Sequence, residues 1–279
     1  MSGPRVAVVG HVEWIECARV DHMPAPGEII EAADAFEVAA GSGAVAAVQA
    51  AKLAGGALFF TALARDERGR VAAERLAELG VEVLAAPRAG AQRHGVCHLD
   101  SGGERTITIV GDRIVPRGDD DLPWERLEEM DAVYLSGGDA AAVRTARRAR
   151  RLIATPRAAD AVAAARVRLD ALVGSAGDRL EAVDEGSFDP PPDLVVHTKG
   201  AEGGEWHGGE HRSGTWRAAR LPGPRVDSYG AGDSFAGGLT YALAAGMEIE
   251  DALELAARCG AANMAGRGPY EGQLTAADL

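Results

Sequence analysis

The chain has 279 residues, enough for one large α/β domain or two small ones with a buried core. Its 47% hydrophobic and 25% charged residues are close to the average of globular proteins, which excludes the disordered and fibrous classes. The formal net charge is −13, from 29 Lys and Arg against 42 Asp and Glu. A chain this acidic repels nucleic acid and anionic membrane surfaces, so neither is expected as a partner.

Three cysteines, Cys17, Cys97 and Cys259, lie far apart and show no CxxC spacing. This pattern argues against a disulfide framework and against a structural zinc site. The first eleven residues lead directly into an apolar strand without the pattern of a signal peptide, and no apolar run approaches the roughly 18 residues that span a bilayer. We therefore expect a cytoplasmic protein.

The first half of the chain predicts strands and helices in alternation. The short apolar run Val6–Val9, which ends at Gly10, is typical of a buried parallel strand. The next predicted elements are strands at Glu16–Val20 and Ile29–Val38, a helix at Ala44–Leu53, a strand at Leu58–Leu63, a helix at Val71–Leu79, a strand at Val81–Ala85, and a hairpin of Gly95–Leu99 and Thr106–Val110.

The second half continues the alternation. The predicted elements are a strand at Ala132–Leu135, a helix at Ala141–Ala149, strands at Leu152–Ala154, Ala171–Val173 and Leu194–Thr198, a hairpin within Gly204–Trp216, and helices at Ser234–Ala245 and Ile249–Cys259. Repeated strand–helix units predict an α/β fold, with a mostly parallel central sheet and helices on both faces. The two segments that break the alternation, near 11–38 and 93–111, are expected to form a small β lid on a single domain spanning 1–279.

A glycine-rich segment before a predicted helix is the strongest chemical signal. Residues 226–238 read VDSYGAGDSFAGG. A glycine turn that opens a helix presents free N–H groups and the positive end of the helix dipole, which suit an anion. Asp233 at this place would repel phosphate, but it could take a proton from a hydroxyl that attacks phosphate. The alternative is that Asp233 only caps the helix while the glycines serve packing.

The longer segment resembles the DTxGAGDxFxGG signature of the ribokinase (PfkB carbohydrate kinase) family. Other motifs similar to those of this family occur in the family's order along nearly the whole chain. They are Val20–Glu28 (VDHMPAPGE), Ala40–Ala47 (AGSGAVAA) with Lys52–Gly55 (KLAG), Arg65–Gly69 (RDERG) and Thr198–Gly203 (TKGAEG). The resemblance implies a ribokinase-like fold and an ATP-dependent kinase that requires Mg²⁺.

The resemblance also implies roles for individual residues. Asp233 would be the catalytic base, and the backbone amides of Gly230, Ala231 and Gly232 would form the anion hole. Asp227 would lie in a loop that binds a monovalent cation such as K⁺. The nucleotide would lie beside Thr198, Gly200 and Gly203, and the acceptor's hydroxyl groups would meet Gly41, Ser42 and Gly43.

Several positions depart from the family pattern. Val45 replaces an asparagine that contacts the sugar, so we expect fewer polar contacts with the acceptor. Ile15 replaces an acceptor-binding aspartate, for which Glu13 or Glu16 could substitute, and we favour Glu13. The family's NxxE motif, which orders Mg²⁺ and phosphate, reads Ser175–Ala–Gly–Asp178, so Asp178 would act on Mg²⁺ through water.

One further side chain, Arg105 in the predicted lid hairpin, could contact the acceptor or remain a solvated arginine at a sheet edge.

Several functions remain open on this evidence. The leading hypothesis is ATP-dependent phosphorylation of a hydroxyl on a sugar or sugar-like small molecule. A nucleoside kinase of the same family and a catalytically weak nucleotide- or sugar-binding regulator are the alternatives. A dinucleotide-dependent dehydrogenase is disfavoured, because no GxGxxG turn follows the first strand. The resemblance further suggests a homodimer that pairs through the lid.

Overall fold

Thirteen strands and six α-helices lie in the part of the chain that a computed structural model describes, residues 3–181, 185–209 and 212–279. The strands are β1 (Val6–Val9), β2 (Glu13–Arg19), β3 (Asp34–Ala40), β4 (Ala57–Ala64), β5 (Val81–Arg88), β6 (His94–Leu99), β7 (Arg105–Val110), β8 (Ala132–Leu135), β9 (Leu152–Ala154), β10 (Ala171–Ser175), β11 (Leu194–Thr198), β12 (Gly204–Gly208) and β13 (Arg212–Trp216). The helices are α1 (Ser42–Ala54), α2 (Glu67–Glu78), α3 (Ala140–Ala146), α4 (Ala159–Ala165), α5 (Ala231–Ala244) and α6 (Ile249–Asn263).

Nine of these strands form one sheet in the order β13-β12-β11-β10-β9-β8-β1-β4-β5. Every pair from β11 to β5 is parallel, and only the β11–β12 and β12–β13 pairs are antiparallel. The mostly parallel sheet predicted from the strand–helix alternation is confirmed. The hairpin predicted within Gly204–Trp216 is the β12–β13 pair, although two of its residues, including His211, lie outside the described residues.

Helices cover both faces of this sheet, as predicted. Phe59 and Phe60 are consecutive in β4 and fully buried, and they point to opposite faces because side chains alternate along a strand. Phe59 belongs to the core under α1, α5 and α6, and Phe60 belongs to the core under α3 and α4. This double burial explains why the strands read as continuous apolar runs.

A second sheet has four strands in the order β3-β2-β6-β7. Its strands all come from the two segments that break the alternation, and Cys17 of β2 pairs directly with Cys97 of the parallel strand β6. Buried side chains of this sheet, Ile15 and Leu99 among them, form a third core with Val45 and Tyr229. The sheet therefore packs over the segments that begin α1 and α5.

Several element boundaries differ from the predictions. Strand β2 begins at Glu13 rather than Glu16, because Glu13, Trp14 and Ile15 already pair with β3. Strand β3 begins only at Asp34, and Ile29, predicted to start it, is 96% exposed. Helix α3 ends three residues before the predicted end, and the short α4 was not predicted. None of the helices in the described residues is long and apolar enough to cross a membrane.

Candidate active site

Several of the predicted site residues lie at the carboxyl edge of the parallel sheet. Gly10 follows β1, Ser136 follows β8 and Thr155 follows β9, while Ser175 and Thr198 end β10 and β11 as a directly paired couple. The N-termini of α1 and α5 open at the same edge. Ligands of open parallel sheets bind outside this edge, where loops and helix N-termini meet.

Helix α5 begins with the predicted anion-binding turn. Gly230 has φ 83°, and no side chain of the described residues caps the helix. A Cβ at Gly230 would lie 2.9 Å from Cγ1 of Val45, so both the backbone conformation and the space require glycine. A Cβ at Gly232 would meet nothing within 4 Å in the described part of the chain. The Ala231 N–H donates a long hydrogen bond of 3.5 Å to the carbonyl of Ser228, and the first turn of α5 is open beside Gly232.

Asp233 is the third residue of α5 and is only partly exposed. Burial raises the pKa of its carboxyl group, whereas a hydrogen bond from Ser42 and the positive charge of Arg105 lower it. The negative charges of Glu181 and Glu13 raise it further. The balance leaves a carboxyl group that is more basic than an ordinary aspartate, as a general base requires.

The N-terminus of α1 meets Asp233 from the opposite side. Ser42 also interacts with the hydroxyl of Tyr134. Gly41 has φ 91°, and a Cβ at Gly43 would lie 2.9 Å from the backbone N and O of His11, so these glycines let α1 approach the end of β1. The Val45 side chain is 0% exposed and packs under Gly230, so it belongs to the core and not to a surface that an acceptor could contact.

Glu13, predicted as an acceptor contact, is already engaged by basic side chains. Its Oε1 accepts a hydrogen bond from Nε of Arg93 at 2.7 Å and lies 3.6 Å from Nε2 of His11. Burial alone would raise the pKa of Glu13, but the interactions with His11 and Arg93 outweigh it and lower the pKa to about 2. Glu13 is therefore ionised throughout the physiological range.

Arg113, which the sequence analysis did not single out, lies beside this group. Its Nη2 donates to the carbonyl of Ser136 at 2.9 Å and lies 3.1 Å from Nδ1 of His11. Burial lowers the pKa of His11, so its neutral ring can accept this hydrogen bond. Nothing in the local sequence around Arg113 indicates these contacts, because they join residues far apart in the chain.

Arg105 reaches from β7 to the loop that precedes α5. Its Nη1 donates to the carbonyl of Ser228 at 2.6 Å, and its guanidinium group lies 5.5 Å from the centre of the Tyr229 ring. The side chain therefore links the four-stranded sheet to the segment that carries Asp233. It is not simply a solvated arginine at a sheet edge.

The residues predicted to bind nucleotide lie beyond the ends of β10 and β11. Gly200 and Gly203 have φ 58° and 89°, and a Cβ at Gly203 would lie 2.0 Å from the carbonyl oxygen of Trp216. Gly203 is therefore required where the chain turns into β12. Gly200 is exposed with nothing described within 4 Å of a Cβ, and Thr198 is half-buried, so both have surface that a ligand could reach.

A carboxylate that the motif comparison missed lies next to these strands. Glu181 accepts hydrogen bonds from the backbone N–H of Ser175 at 2.6 Å and from Nε of Arg157 at 3.0 Å, and its charge reaches Asp233. Asp178, the predicted member of the NxxE pattern, pairs with the same arginine and accepts from the Leu180 N–H at 2.9 Å. Asp178 and Glu181 themselves have the spacing D-x-x-E, which is similar to NxxE and could have indicated Glu181 from the sequence.

No group of three or more His, Cys, Asp or Glu side chains in the described residues is arranged to hold a metal ion. Hydrogen bonds and ion pairs engage both carboxylate oxygens of Asp178 and both of Glu181. A magnesium ion here would fit only with most of its ligands from nucleotide phosphates and water, which is its usual preference.

Asp227 is fully buried below the start of α5. Its Oδ1 accepts from the Tyr229 N–H at 2.7 Å, and its Oδ2 accepts from the Gly268 N–H at 3.0 Å. No cationic side chain of the described residues lies within 4 Å, and burial raises the pKa of its carboxyl group. A buried carboxylate that is held only by backbone amides fits a monovalent cation.

The chain matches the family model for pfkB family carbohydrate kinases over residues 4–162 and 149–276. An ATP-dependent ribose-1-phosphate kinase of Halopiger xanaduensis is 30% identical, over 92% of this chain and 90% of that protein.

Solved structures also resemble this one. A ribokinase of Arabidopsis thaliana complexed with ribose and ATP is 22% identical with a TM-score of 0.79, covering 99% of this chain and 97% of that one. A ribokinase of Thermotoga maritima is 19% identical with a TM-score of 0.78 over the same shares of both chains. At these identities the structures show a shared ribokinase-like fold.

Proposed function

Because the chain belongs to the pfkB family of carbohydrate kinases and is an ATP-dependent kinase, we propose that it phosphorylates a hydroxyl of a sugar or sugar-like small molecule with Asp233 as the base. The observation that carries the proposal is the position of Asp233. Asp233 lies in the first turn of α5, where no side chain of the described residues caps the helix, and its carboxyl group accepts a hydrogen bond from Ser42. A base and an anion site at one point suit attack of a hydroxyl on a phosphoryl group.

In the proposed reaction the acceptor hydroxyl attacks the γ-phosphorus in line while its proton passes to the Asp233 carboxylate. The bond to the β,γ-bridging oxygen breaks, and ADP leaves with that electron pair. The backbone amides of Gly230, Ala231 and Gly232 stabilise the charge that develops on the transferred phosphoryl oxygens. Ser42 holds the Asp233 carboxylate in position through its hydrogen bond.

We place the nucleotide beside Thr198, Gly200 and Gly203, where the turn between β11 and β12 is exposed at Gly200. Glu181 and Asp178 face this region and would contact Mg²⁺ through water. Magnesium would supply charge neutralisation on the nucleotide phosphates when bound. Asp227 would hold K⁺ under the α5 turn, which would neutralise its buried charge.

The four-stranded sheet is proposed as a lid on the acceptor side. Glu13 begins β2, Arg93 precedes β6 and Arg105 begins β7, and all three reach the site from this sheet. Its outer strands are β3 and β7, and Val96 and Val110 are exposed on the sheet. An edge of this kind suits pairing with a second copy, and light scattering would test the expected dimer.

The acceptor is proposed to be a sugar or a sugar phosphate. The relative from Halopiger is named for a phosphorylated pentose. A nucleoside acceptor is less well supported, because Val45, whose apolar side chain favoured it, lies in the core.

The decisive experiment measures ADP release from Mg·ATP with a panel of sugars, sugar phosphates and nucleosides. Asp233→Asn is expected to lower kcat by about 10²–10⁴-fold, the usual contribution of a positioned base, and to leave ATP affinity nearly unchanged. Asp160→Asn, an exposed aspartate on α4, is the matched control and keeps full turnover. Near-full turnover of Asp233→Asn would refute the assignment of the base. ATP binding without turnover on any acceptor would favour the regulator.

A further inference from the structure

The Arg113 guanidinium group has more donors than protein partners. Its partners among the described residues are the carbonyls of Ser136 and Arg157 and the ring of His11. These accept three of its five N–H groups. Its Nε has no described partner and is not among the fully buried polar atoms that lack one, so the Nε–H group reaches accessible space.

The surroundings of Arg113 lack a matching negative charge. No carboxylate of residues 3–181, 185–209 or 212–279 lies within 4 Å of its guanidinium group. The charge of Glu13 acts on Arg113 from farther away, but Glu13 forms its ion pair with Arg93. We call Arg93, Arg113, His11 and Glu13 the arginine cluster. Two guanidinium groups and one carboxylate leave it with one net positive charge, because His11 is neutral. Arg157, the next arginine, is already paired with Asp178 and Glu181.

The arginine cluster is connected to the proposed base by direct contacts. Ser42 hydrogen-bonds to Asp233, and the adjacent Gly43 packs against the backbone of His11. His11 in turn contacts Arg113. The charge of Glu13 is felt both by Asp233 and by Arg113. The first residues of α1 therefore lie between Asp233 and the arginine cluster, and an acceptor that met Asp233 and extended along them would reach the cluster.

We propose that Arg113, supported by Arg93, binds a phosphate group carried by the acceptor. This inference rests on the proposed kinase reaction and assigns its acceptor class. Arginine forks bind phosphate with paired charge-assisted hydrogen bonds, and a phosphate would supply the missing negative charge. Arg93 has three N–H groups without a described partner and is 22% exposed, so it can contribute. The reaction then converts ATP and a sugar phosphate to ADP, a sugar bisphosphate and one proton.

The test compares matched acceptors with matched variants. Ribose, ribose 1-phosphate and ribose 5-phosphate are assayed by ADP release with wild type, Arg113→Met, Arg113→Lys and Arg144→Met, the last being an exposed arginine on α3 that serves as control. Wild type should prefer one phosphate ester over ribose. Arg113→Met should lower kcat/KM for that ester by about 10- to 100-fold, as expected for lost hydrogen bonds to a charged group. Arg113→Lys, which keeps the charge but not the fork, should lose less.

Two results would overturn the inference. One is an equal loss of kcat/KM on ribose and on its phosphates in Arg113→Met, which would indicate a structural role only. The other is a wild-type preference for unphosphorylated ribose. Melting temperatures of all variants identify a folding defect, and Arg113→Lys then carries the comparison.

Calorimetric titration without ATP separates this inference from the proposed reaction. Binding of the preferred ester should weaken in Arg113→Met, whereas ATP binding should not change. If that pattern appears without turnover, the arginine site stands and the kinase reaction fails. If ribose is phosphorylated through Asp233 and neither ester binds, the kinase reaction stands and the arginine site is refuted.

Discussion

Two glycines that end the motif of α5 provide a sharp test of how packing supports catalysis. A Cβ at Gly237 would lie 2.6 Å from the carbonyl oxygen of Ala46 and 3.0 Å from Cβ of Gln49, both on α1. A Cβ at Gly238 would lie 2.6 Å from Sγ of Cys259 on α6. Gly237 therefore sets the distance between α5 and α1, and Gly238 sets the distance between α5 and α6.

The expected free-energy changes follow from these obstacles. Replacing glycine by alanine in a helix interior normally stabilises the helix by about 1 kcal/mol. Overpacking a core costs about 1–3 kcal/mol, and at Gly237 the obstacle is backbone, which can move only with the whole helix. The cost should therefore lie in the upper part of this range, about 2–3 kcal/mol, and after the helix preference is subtracted we expect Gly237→Ala to destabilise the protein by about 1–2 kcal/mol. At Gly238 the closest obstacle is a thiol, so adding Cys259→Ala to Gly238→Ala should recover most of the loss.

The two substitutions should differ in their effect on turnover. Helix α1 carries Ser42 and α5 carries Asp233, so a wider α1–α5 separation displaces the acceptor contacts from the base. Because misplacement by about 1 Å can cost 10²-fold in rate, a shift of a few tenths of an ångström should lower kcat/KM by about tenfold in Gly237→Ala. Gly238→Ala should retain turnover, because α6 contributes none of the proposed site residues.

Urea denaturation and steady-state kinetics on the same samples measure both effects. A Gly237→Ala variant with a higher free energy of unfolding and an unchanged kcat/KM would contradict the proposed role of the α1–α5 distance. Equal losses of turnover in the two glycine variants would also contradict it, since α1 would then have no special part.

Two further predictions concern pH and monovalent cations. Because burial raises the pKa of Asp233, kcat/KM should decline on acidification at pH values where an exposed aspartate is still ionised. Ser42→Ala removes a hydrogen bond that lowers the pKa of Asp233, so it should move the acidic limb of the pH–rate profile to higher pH. Glu181→Gln removes a charge that raises this pKa, so it should move the acidic limb to lower pH. Shifts in the same direction would contradict the assignment of this limb to Asp233. K⁺ should raise kcat relative to a large organic cation, and Asp227→Asn should abolish this difference in kcat. A difference in kcat that persists in the variant would place the ion elsewhere.

Local sequence patterns predicted most of the parallel sheet, because the apolar runs of its strands follow directly from their burial. Strands such as Val6–Val9 and Ala132–Leu135 are buried on both faces, so they must read as unbroken apolar runs. The predicted start of β3 was wrong because an apolar residue there is not buried. Ile29 is apolar but exposed, and no local pattern separates an exposed apolar residue from one in a strand.

In the candidate site, too, the sequence predicted the residues that are neighbours in the chain and missed those that become neighbours only in the fold. Asp233 and the α5 turn could be predicted because glycine, N–H groups and carboxylate are adjacent in sequence. Arg113 could not, because its partners His11 and Ser136 become neighbours only when β1 and β8 pair in the sheet. Glu181 was missed because two carboxylates share the spacing of one motif, and only the fold shows which of them reaches Asp233.

The arrangement of charge explains how an acidic protein could handle two anionic substrates. The chain carries a net charge of −13, which disfavours the approach of ATP and of a sugar phosphate. Helix-end N–H groups and the arginine cluster offset this at one edge of the sheet. The same arrangement bears on the proposed base, because Arg105 lowers the pKa of Asp233 and nearby negative charge raises it. A bound acceptor phosphate would add negative charge beside Glu13, and it would therefore raise the proton affinity of Asp233 when the hydroxyl to be deprotonated is in place.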